Sequence, residues 1–257
     1  MIPVQKHMRS EAGFTLVELA IVMIIIGLLI AGVLKGQALI QNAQVTATVA
    51  QDKAIEAATT TFKDTYNMLP GDITSPNTKL PNCGAAPCLT AGNGDGILTN
   101  LPSDAPNTAA DEGHQFFVHL NAASLITGIV PGVGAAADVF GGNLPAGKIS
   151  GTGFFAGGST GVAALVSQIG AILPAGGEYL TLTGSPTTAA GAAATLGLRP
   201  DQALRIDTKL DDGSPDTGEV RAFGGATCGV AGAAGTGGTY TTTTTNNVCG
   251  LYIHFQA

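Results

Sequence analysis

The chain has 257 residues, of which 45% are hydrophobic and only 11% are charged, and its formal net charge is −7. This length suffices for one sizeable domain beside a membrane segment. The surplus of negative charge opposes long-range attraction to nucleic acid, so we expect no DNA or RNA partner.

A short polar leader, residues 1–13, precedes a long apolar run. Lys6, His7 and Arg9 outweigh Glu11 there, and flanking positive charge keeps its end of a membrane segment cytoplasmic. Residues 14–34 are then almost entirely apolar, and about 20 such residues are needed for a helix to cross the hydrocarbon core. The exception is Glu18, a carboxylate at membrane depth, which is by default a functional candidate in need of a partner.

The segment Gly13-Phe14-Thr15-Leu16-Val17-Glu18-Leu19 and the apolar residues after it resemble the processing site of type IV pilins and type II secretion pseudopilins. The resemblance is sharp from Gly13 to about Ala50 and architectural beyond. It implies that a prepilin peptidase cuts after Gly13 and that the new amino terminus, Phe14, is N-methylated. It also implies that this amine pairs with Glu18 of a neighbouring subunit, which makes Glu18 an assembly residue.

Two simpler interpretations compete with this one. An ordinary secretory signal has an apolar core of about 7–15 residues followed by a small-residue cleavage site, whereas here the glycine precedes a longer run. A simple membrane anchor fits the length but leaves Glu18 unexplained.

One long helix is predicted over residues 14–67, with residues 14–34 spanning the membrane before assembly. Leu69-Pro70-Gly71 should end it, because proline and glycine interrupt helices. Apolar residues at three- and four-residue spacing predict the face that packs on the head domain, residues 68–257. These residues are Leu39, Ala43, Ala47, Ala50, Ala54, Ala57, Phe62 and Tyr66.

Gly27, Gly32 and Gly36 lie inside this helix, where each costs up to about 1 kcal/mol relative to alanine. The resemblance implies that this region loses helical structure when subunits stack. The alternative is that the glycines let helices approach closely, and both interpretations stay open.

The resemblance implies an α+β fold, in which the long helix packs on an antiparallel sheet with long loops. Within the head we predict a helix over 111–126, ended by Gly128, and another over 200–210, with Pro200 in its first turn. Predicted strands cover 178–183, 218–223 and 248–255. The Gly, Ala and Thr content of 224–247 predicts a loop.

We expect no enzyme, because no catalytic constellation stands out. His114 and His119 are interpreted as surface or interface residues of the first head helix. The serines near glycines lack a nucleophile-elbow pattern.

The four cysteines form two sequence-local pairs, Cys83 with Cys88 and Cys228 with Cys249. An even count in an exported chain indicates disulfides, and of the three possible connectivities we favour the local one. The resemblance to type IV pilins also implies a C-terminal disulfide loop. Zinc binding by the cysteines is the alternative, but their spacing matches no recognised zinc site.

Two acidic segments could bind Ca²⁺, because oxygen ligands recur around glycine turns in both. The candidate ligands in the first segment are Asp207, Asp211, Asp212, Asp216 and Glu219. The second offers Asn93 and Asp95 but lacks the later bidentate acid of a calcium loop, which Asp104 or Glu112 could supply. Without metal, a turn capped by Asp side chains is the alternative in the first segment and a plain glycine turn in the second, and no other cofactor is expected.

The resemblance implies a subunit of a helical homopolymer that serves adhesion, motility or aggregation. Its precursor would sit in the inner membrane, pass through prepilin peptidase and an inner-membrane assembly platform, and end in an extracellular filament. A pseudopilin in a periplasmic pseudopilus is one alternative, and a monomeric membrane-anchored binding domain is another. The large, loop-rich head favours the surface fibre, whereas the calcium-like segment favours the pseudopilin.

Overall fold

The computed structural model describes residues 13–102, 111–132, 138–159, 169, 176–185, 196–233 and 236–255. They form an α+β fold with a long amino-terminal helix and an antiparallel sheet, which confirms the predicted class. The helices are α1 (Leu16–Tyr66), α2 (Pro76–Lys79), α3 (Glu112–Ala122) and α4 (Pro200–Leu210). The strands are β1 (Gly153–Ser159), β2 (Gly177–Thr183), β3 (Val220–Phe223), β4 (Gly229–Val230), β5 (Thr239–Tyr240) and β6 (Gly250–Phe255).

Helix α1 is 51 residues long. It ends where Asn67 takes a positive φ of 54°, just before the predicted Leu69-Pro70-Gly71 stop. Contacts divide the chain inside this helix, between Ala43 and Gln44, so the second half of α1 groups with the head. In the first unit, every side chain from 13 to 35 is exposed.

The buried face of α1 differs from the predicted one, which was wrong for most of its alanines. Leu39, Ala50 and Ala54 are exposed, and of the predicted set only Phe62 is fully buried, while Ala47 and Tyr66 are partly buried. The larger side chains Val45 and Ile55 fix the orientation instead, because they remove more apolar surface from water than alanine does. The buried residues are Val45, Thr48, Asp52, Ile55, Ala58, Thr59 and Phe62.

Threonines are frequent in the second half of α1, and their hydroxyls bond within the helix. Each of five donates to the carbonyl four residues earlier, at 2.7–3.1 Å. They are Thr48, Thr59, Thr60, Thr61 and Thr65.

The main sheet has the strand order β1-β2-β6-β3, with every neighbouring pair antiparallel. The last strand of the chain, β6, therefore lies inside the sheet. Strands β2, β3 and β6 were predicted, but β1 was not. Its glycines admit close neighbours, since a Cβ on Gly158 would lie 2.5 Å from the Leu98 carbonyl oxygen.

Aromatic side chains from α3 and β1 form much of the core of the head. Phe116 and Phe117 meet edge to face with ring centroids 4.9 Å apart, and α3 packs against β1. Helix α3 ends at Ala122, earlier than predicted, because Ser124 takes a positive φ of 62°. His114 and His119 are both buried in it, which corrects their interpretation as surface residues.

The predicted loop 224–247 also contains regular structure. A one-turn 3₁₀ helix, Gly225–Thr227, precedes β4, which pairs with β5 in a two-stranded antiparallel sheet. These short strands were not predicted, because the high glycine and threonine content of the segment is typical of a loop.

Candidate assembly site and acidic loops

The first residues of α1 form a reciprocal cap around Glu18. The carbonyl of Thr15 accepts the first helical hydrogen bond, from Leu19, and its hydroxyl oxygen accepts the Glu18 N–H at 3.3 Å. In return, the Glu18 carboxylate accepts both the N–H and the hydroxyl of Thr15, each at 2.9 Å. This is a capping box, whose Thr-x-x-Glu spacing is readable from sequence. The sequence analysis assigned no role to Thr15, although this signal was present.

Glu18 and Phe14 lie together at an exposed helix end. Phe14 is 85% exposed, and with Glu18, Leu19 and Val22 it lines an open, largely apolar cleft. From residue 13 onward, no basic side chain that the structure describes forms an ion pair with Glu18. The carboxylate therefore has only Thr15 as its partner in the described part of this chain.

By length and composition, α1 could cross a membrane. Most of its large apolar side chains from Phe14 to Leu34 are at least half exposed. At Gly27, Gly32 and Gly36 an added Cβ would meet no atom within 4 Å. The glycines therefore relieve no crowding inside a single chain.

The structure contains two disulfides, Cys83–Cys88 and Cys228–Cys249, which are the two local pairs favoured on the sequence. His119 fixes the first of them to the turn after α1. Its Nδ1 accepts the Gly71 N–H at 2.9 Å, so its Nε2 carries the proton and donates to the Cys88 carbonyl at 3.2 Å. Burial lowers the pKa of His119 to about 4, against the opposing effect of its bonds to carbonyl groups. The ring is therefore neutral in the ordinary pH range.

The first acidic segment brings three of its predicted ligands together. Oxygens of Asp207, Asp211 and Asp212 lie within 4.8 Å of one another. Protein groups already donate to them: Asp207 accepts the Tyr240 hydroxyl at 2.7 Å and the Gly213 N–H at 3.1 Å. Burial raises the pKa of Asp207 to about 7; its two hydrogen bonds oppose the rise, and the neighbouring acids Asp212 and Asp211 add to it.

The other acids of this segment make the same kind of bond. Asp211 accepts the N–H groups of Glu219 and Val220. Asp212 accepts the Ser214 N–H at 2.8 Å and the Thr217 hydroxyl. The segment thus contains the Asp-capped turn that was the alternative to a metal loop.

Asp216 and Glu219, also predicted as ligands, bond elsewhere. The Asp216 carboxylate accepts the Gly232 and Gly238 N–H groups, which lie near the two ends of the connection between β4 and β5. Asp216 therefore fastens the C-terminal disulfide loop to the acidic segment. Glu219 pairs instead with His254 of β6.

The second acidic segment is a self-capped turn. The Asp95 N–H donates to the Asn93 side-chain oxygen at 2.8 Å, and the Ile97 N–H donates to Asp95 at 3.0 Å. The side chains of Asn93 and Asp95 also bond each other at 2.9 Å. Three further carboxylates, of Asp72, Glu112 and Glu178, meet this loop. The sequence analysis named Glu112 as a possible further acid but neither Asp72 nor Glu178, and Asp104 lies outside the described residues.

Comparison with known proteins supports the predicted prepilin-type signal at the amino terminus. A family model described as the prokaryotic N-terminal methylation motif matches residues 8–34. No curated protein and no solved structure matches the chain. The matched segment includes Gly13, Phe14 and Glu18, and such a motif implies processing by a prepilin peptidase and assembly into pilus-like filaments. The chain therefore carries the amino-terminal signal of the type IV pilin and pseudopilin family.

Proposed function

We propose that this chain is the structural, non-catalytic subunit of a type IV pilus-like surface filament that polymerises through α1 and serves adhesion, motility or aggregation. The observation that carries the proposal is the position of Glu18. It is an acid on an exposed apolar helix, its only described partner is Thr15, and it follows closely the residue that cleavage would make the new amino terminus.

Two environments can cover the apolar surface of α1. Large exposed apolar patches mark contact with membrane or protein, and the side chains from Phe14 to Leu34 form such a patch. Lipid would cover it in the precursor, and other copies of the helix would cover it in the filament. Glu18 would then set the axial register by pairing with the Phe14 amine of a neighbour, because a charge in an apolar setting needs an opposite charge.

We expect Glu18→Ala to be inserted and cut normally but to yield few filaments. The test is electron microscopy of sheared surface filaments, with mass spectrometry of the mature amino terminus. Asp64→Ala is the matched control, since Asp64 is an exposed acid near the other end of the same helix, and it should assemble normally. A normal filament yield from Glu18→Ala, or a mature terminus other than Phe14, would contradict the proposal.

A pseudopilin of a type II secretion system is the second candidate. The convergence of Asp207, Asp211 and Asp212, as a calcium-binding turn would require, favours it. Filaments recovered only from the periplasm would support this candidate. A protein that stays monomeric in the membrane with its leader uncut would instead support an anchored binding domain.

A further inference from the structure

The loop 93–99 is folded around carboxylates rather than around backbone partners. Seven consecutive backbone N–H groups, from Asn93 to Thr99, all donate to side-chain oxygens. The acceptors are Asp72, which follows α1, Glu112 at the start of α3, Glu178 on β2, and Asn93 and Asp95 of the loop itself. Carboxylates from three separate elements thus determine the path of this loop.

The residues that follow the loop lie along the outer edge of β1, the edge that faces away from β2. The carbonyl of Asn100 accepts the Gly158 N–H at 2.8 Å, and its side-chain amide donates to the Ala156 carbonyl at 2.9 Å. A Cβ on Gly157 would lie 2.8 Å from atoms of Asn100 and Leu101. An uncovered edge strand is a template for pairing with another chain. The Gly153–Phe154 part of this edge is paired by residues 145–147, so the order of the loop decides whether the Ala156–Gly158 part is covered.

Glu178 is the least satisfied carboxylate of the group. Asp72 accepts two N–H groups, and Glu112 accepts two N–H groups and the Thr99 hydroxyl. Among the described residues, Glu178 accepts only the Leu98 N–H, at 3.2 Å, and its other oxygen is buried without a partner there. The residue is 5% exposed, and a buried carboxylate short of donors is costly to ionise.

The charges around Glu178 have the same sign. Asp72, Asp95 and Glu112 face it, while the residues paired with it on β1 and β6, Gly158 and Phe255, carry no charge. Among the described residues, no lysine, arginine or histidine forms an ion pair with any of these four acids. Ionising Glu178 would add a fourth negative charge to a group that lacks a cation.

We propose that a proton on Glu178 fastens the loop 93–99 to the edge of β1, and that loss of this proton loosens the loop. Burial raises the pKa of Glu178 to about 7; the Leu98 N–H opposes the rise, and the charges of Asp72, Glu112 and Asp95 add to it. An opened loop would return the carboxyl to an ordinary pKa near 4.3. The proton therefore holds the loop closed at low pH, and this contribution is lost as the pH rises toward 7.

Hydrogen exchange of the full mature chain in detergent tests this proposal. In wild type, the protection of residues 93–101, corrected for the intrinsic rate, should fall about tenfold per pH unit between about pH 5 and about pH 7 and then level off, as loss of one proton requires. Glu178→Gln keeps the shape but cannot ionise, so its protection should lose most of its pH dependence. The remainder belongs to Asp72, whose pKa burial also raises. Asp64→Asn, which removes an exposed acid, should behave as wild type.

Three results would overturn the proposal. The first is a Glu178→Gln chain that loses protection with pH as wild type does. The other two are measured on wild type alone, so a folding defect in the variant cannot obscure them: protection of the loop that stays constant with pH, or loss of protection over the whole head at once rather than first in 93–101 and β1.

Discussion

The carboxylate of Glu18 can cap its own helix or, in the proposed filament, pair with the amine of a neighbouring subunit. The two interactions compete for the same oxygens. Inside its own chain it completes the cap with Thr15. A cap of this kind contributes about 1 kcal/mol, whereas a carboxylate sheltered from water is strongly favoured by an opposite charge beside it. The cap can therefore hold the carboxylate before assembly and yield it to a neighbour's amine afterwards, which is why both residues belong to the proposed assembly site.

Replacing the Thr15 hydroxyl tests the cap itself. Thr15→Val should lower hydrogen-exchange protection in the first turn of α1 about fivefold, the equivalent of about 1 kcal/mol of lost capping. Thr60→Val is the control, because the Thr60 hydroxyl bonds only a carbonyl inside the same helix. Equal protection of the first turn in Thr15→Val and wild type would show that the hydroxyl does not stabilise the helix start.

At the scale of the element, α1 shows that the size of the apolar side chains, more than their spacing, decides which face of a helix is buried. Alanines at helical spacing predicted the wrong face, because alanine gains little from burial and tolerates water. The real face includes Thr48 and Asp52, whose polarity concealed it, beside the larger Val45 and Ile55. Residue spacing predicted that a stripe exists, but only tertiary packing decides which stripe is buried.

A pair of substitutions checks which face is buried. Ile55→Ala should cost about 2–5 kcal/mol of unfolding free energy, as truncation in a core does. Ala57→Ser, on the exposed side, should change it by less than about 0.5 kcal/mol. Denaturant titration of the detergent-solubilised mature protein measures both, and similar costs would mean that the buried face is assigned incorrectly.

The sheet shows a second limit of sequence reasoning. Strands β2, β3 and β6 carry β-branched and aromatic residues and were predicted. Strand β1, Gly-Phe-Phe-Ala-Gly-Gly-Ser, reads as a loop, because glycine is depleted in strands. Its glycines are needed where other segments approach, as at Gly153, where a Cβ would lie 2.1 Å from the Phe140 ring. This demand comes from residues distant in sequence and cannot be read locally.

At the scale of the whole molecule, the sequence alone predicted the amino-terminal processing signal, but it predicted only some of the contacts in the acidic loops. The motif around Gly13, Phe14 and Glu18 is contiguous in sequence, so it can be recognised without the fold, and the matching family model covers it. The convergence of Asp207, Asp211 and Asp212 was also local and was anticipated. Of the three distant acids that meet at the loop 93–99, Glu112 was anticipated, whereas the arrival of Asp72 and Glu178 depends on the complete fold and no spacing could indicate it.

Buried carboxyls should also set the pH dependence of the stability of the head. Burial raises the pKa of Asp52, Glu178 and Asp207 to about 7 each. Each is raised above its unfolded value, so each stabilises the fold at low pH and loses that contribution as the pH rises from about 4 to about 7. Burial lowers the pKa of His119 to about 4, so its protonation below about pH 6.5 costs stability. Between about pH 4 and about pH 6.5 this effect raises stability with pH and cancels the loss from one of the three carboxyls.

We therefore expect the head to be more stable at about pH 5 than at about pH 8. Thermal unfolding of the mature protein across this range measures the trend. Asp52→Asn combined with Asp207→Asn should flatten it, whereas Asp64→Asn should not. A midpoint that rises steadily from pH 5 to pH 8 in wild type would contradict the assignment.

The threonines of α1 alter what its outer surface offers to a neighbour. Thr60, Thr61 and Thr65 are exposed, yet each hydroxyl is already bonded to its own helix. A molecule that touches these threonines meets methyl groups and hydroxyls whose proton is already bonded, so little hydration is lost at them on contact. Counting these threonines as fully polar therefore overstates the desolvation cost of covering them, whereas the exposed carboxylate of Asp64 on the same turns keeps its full cost.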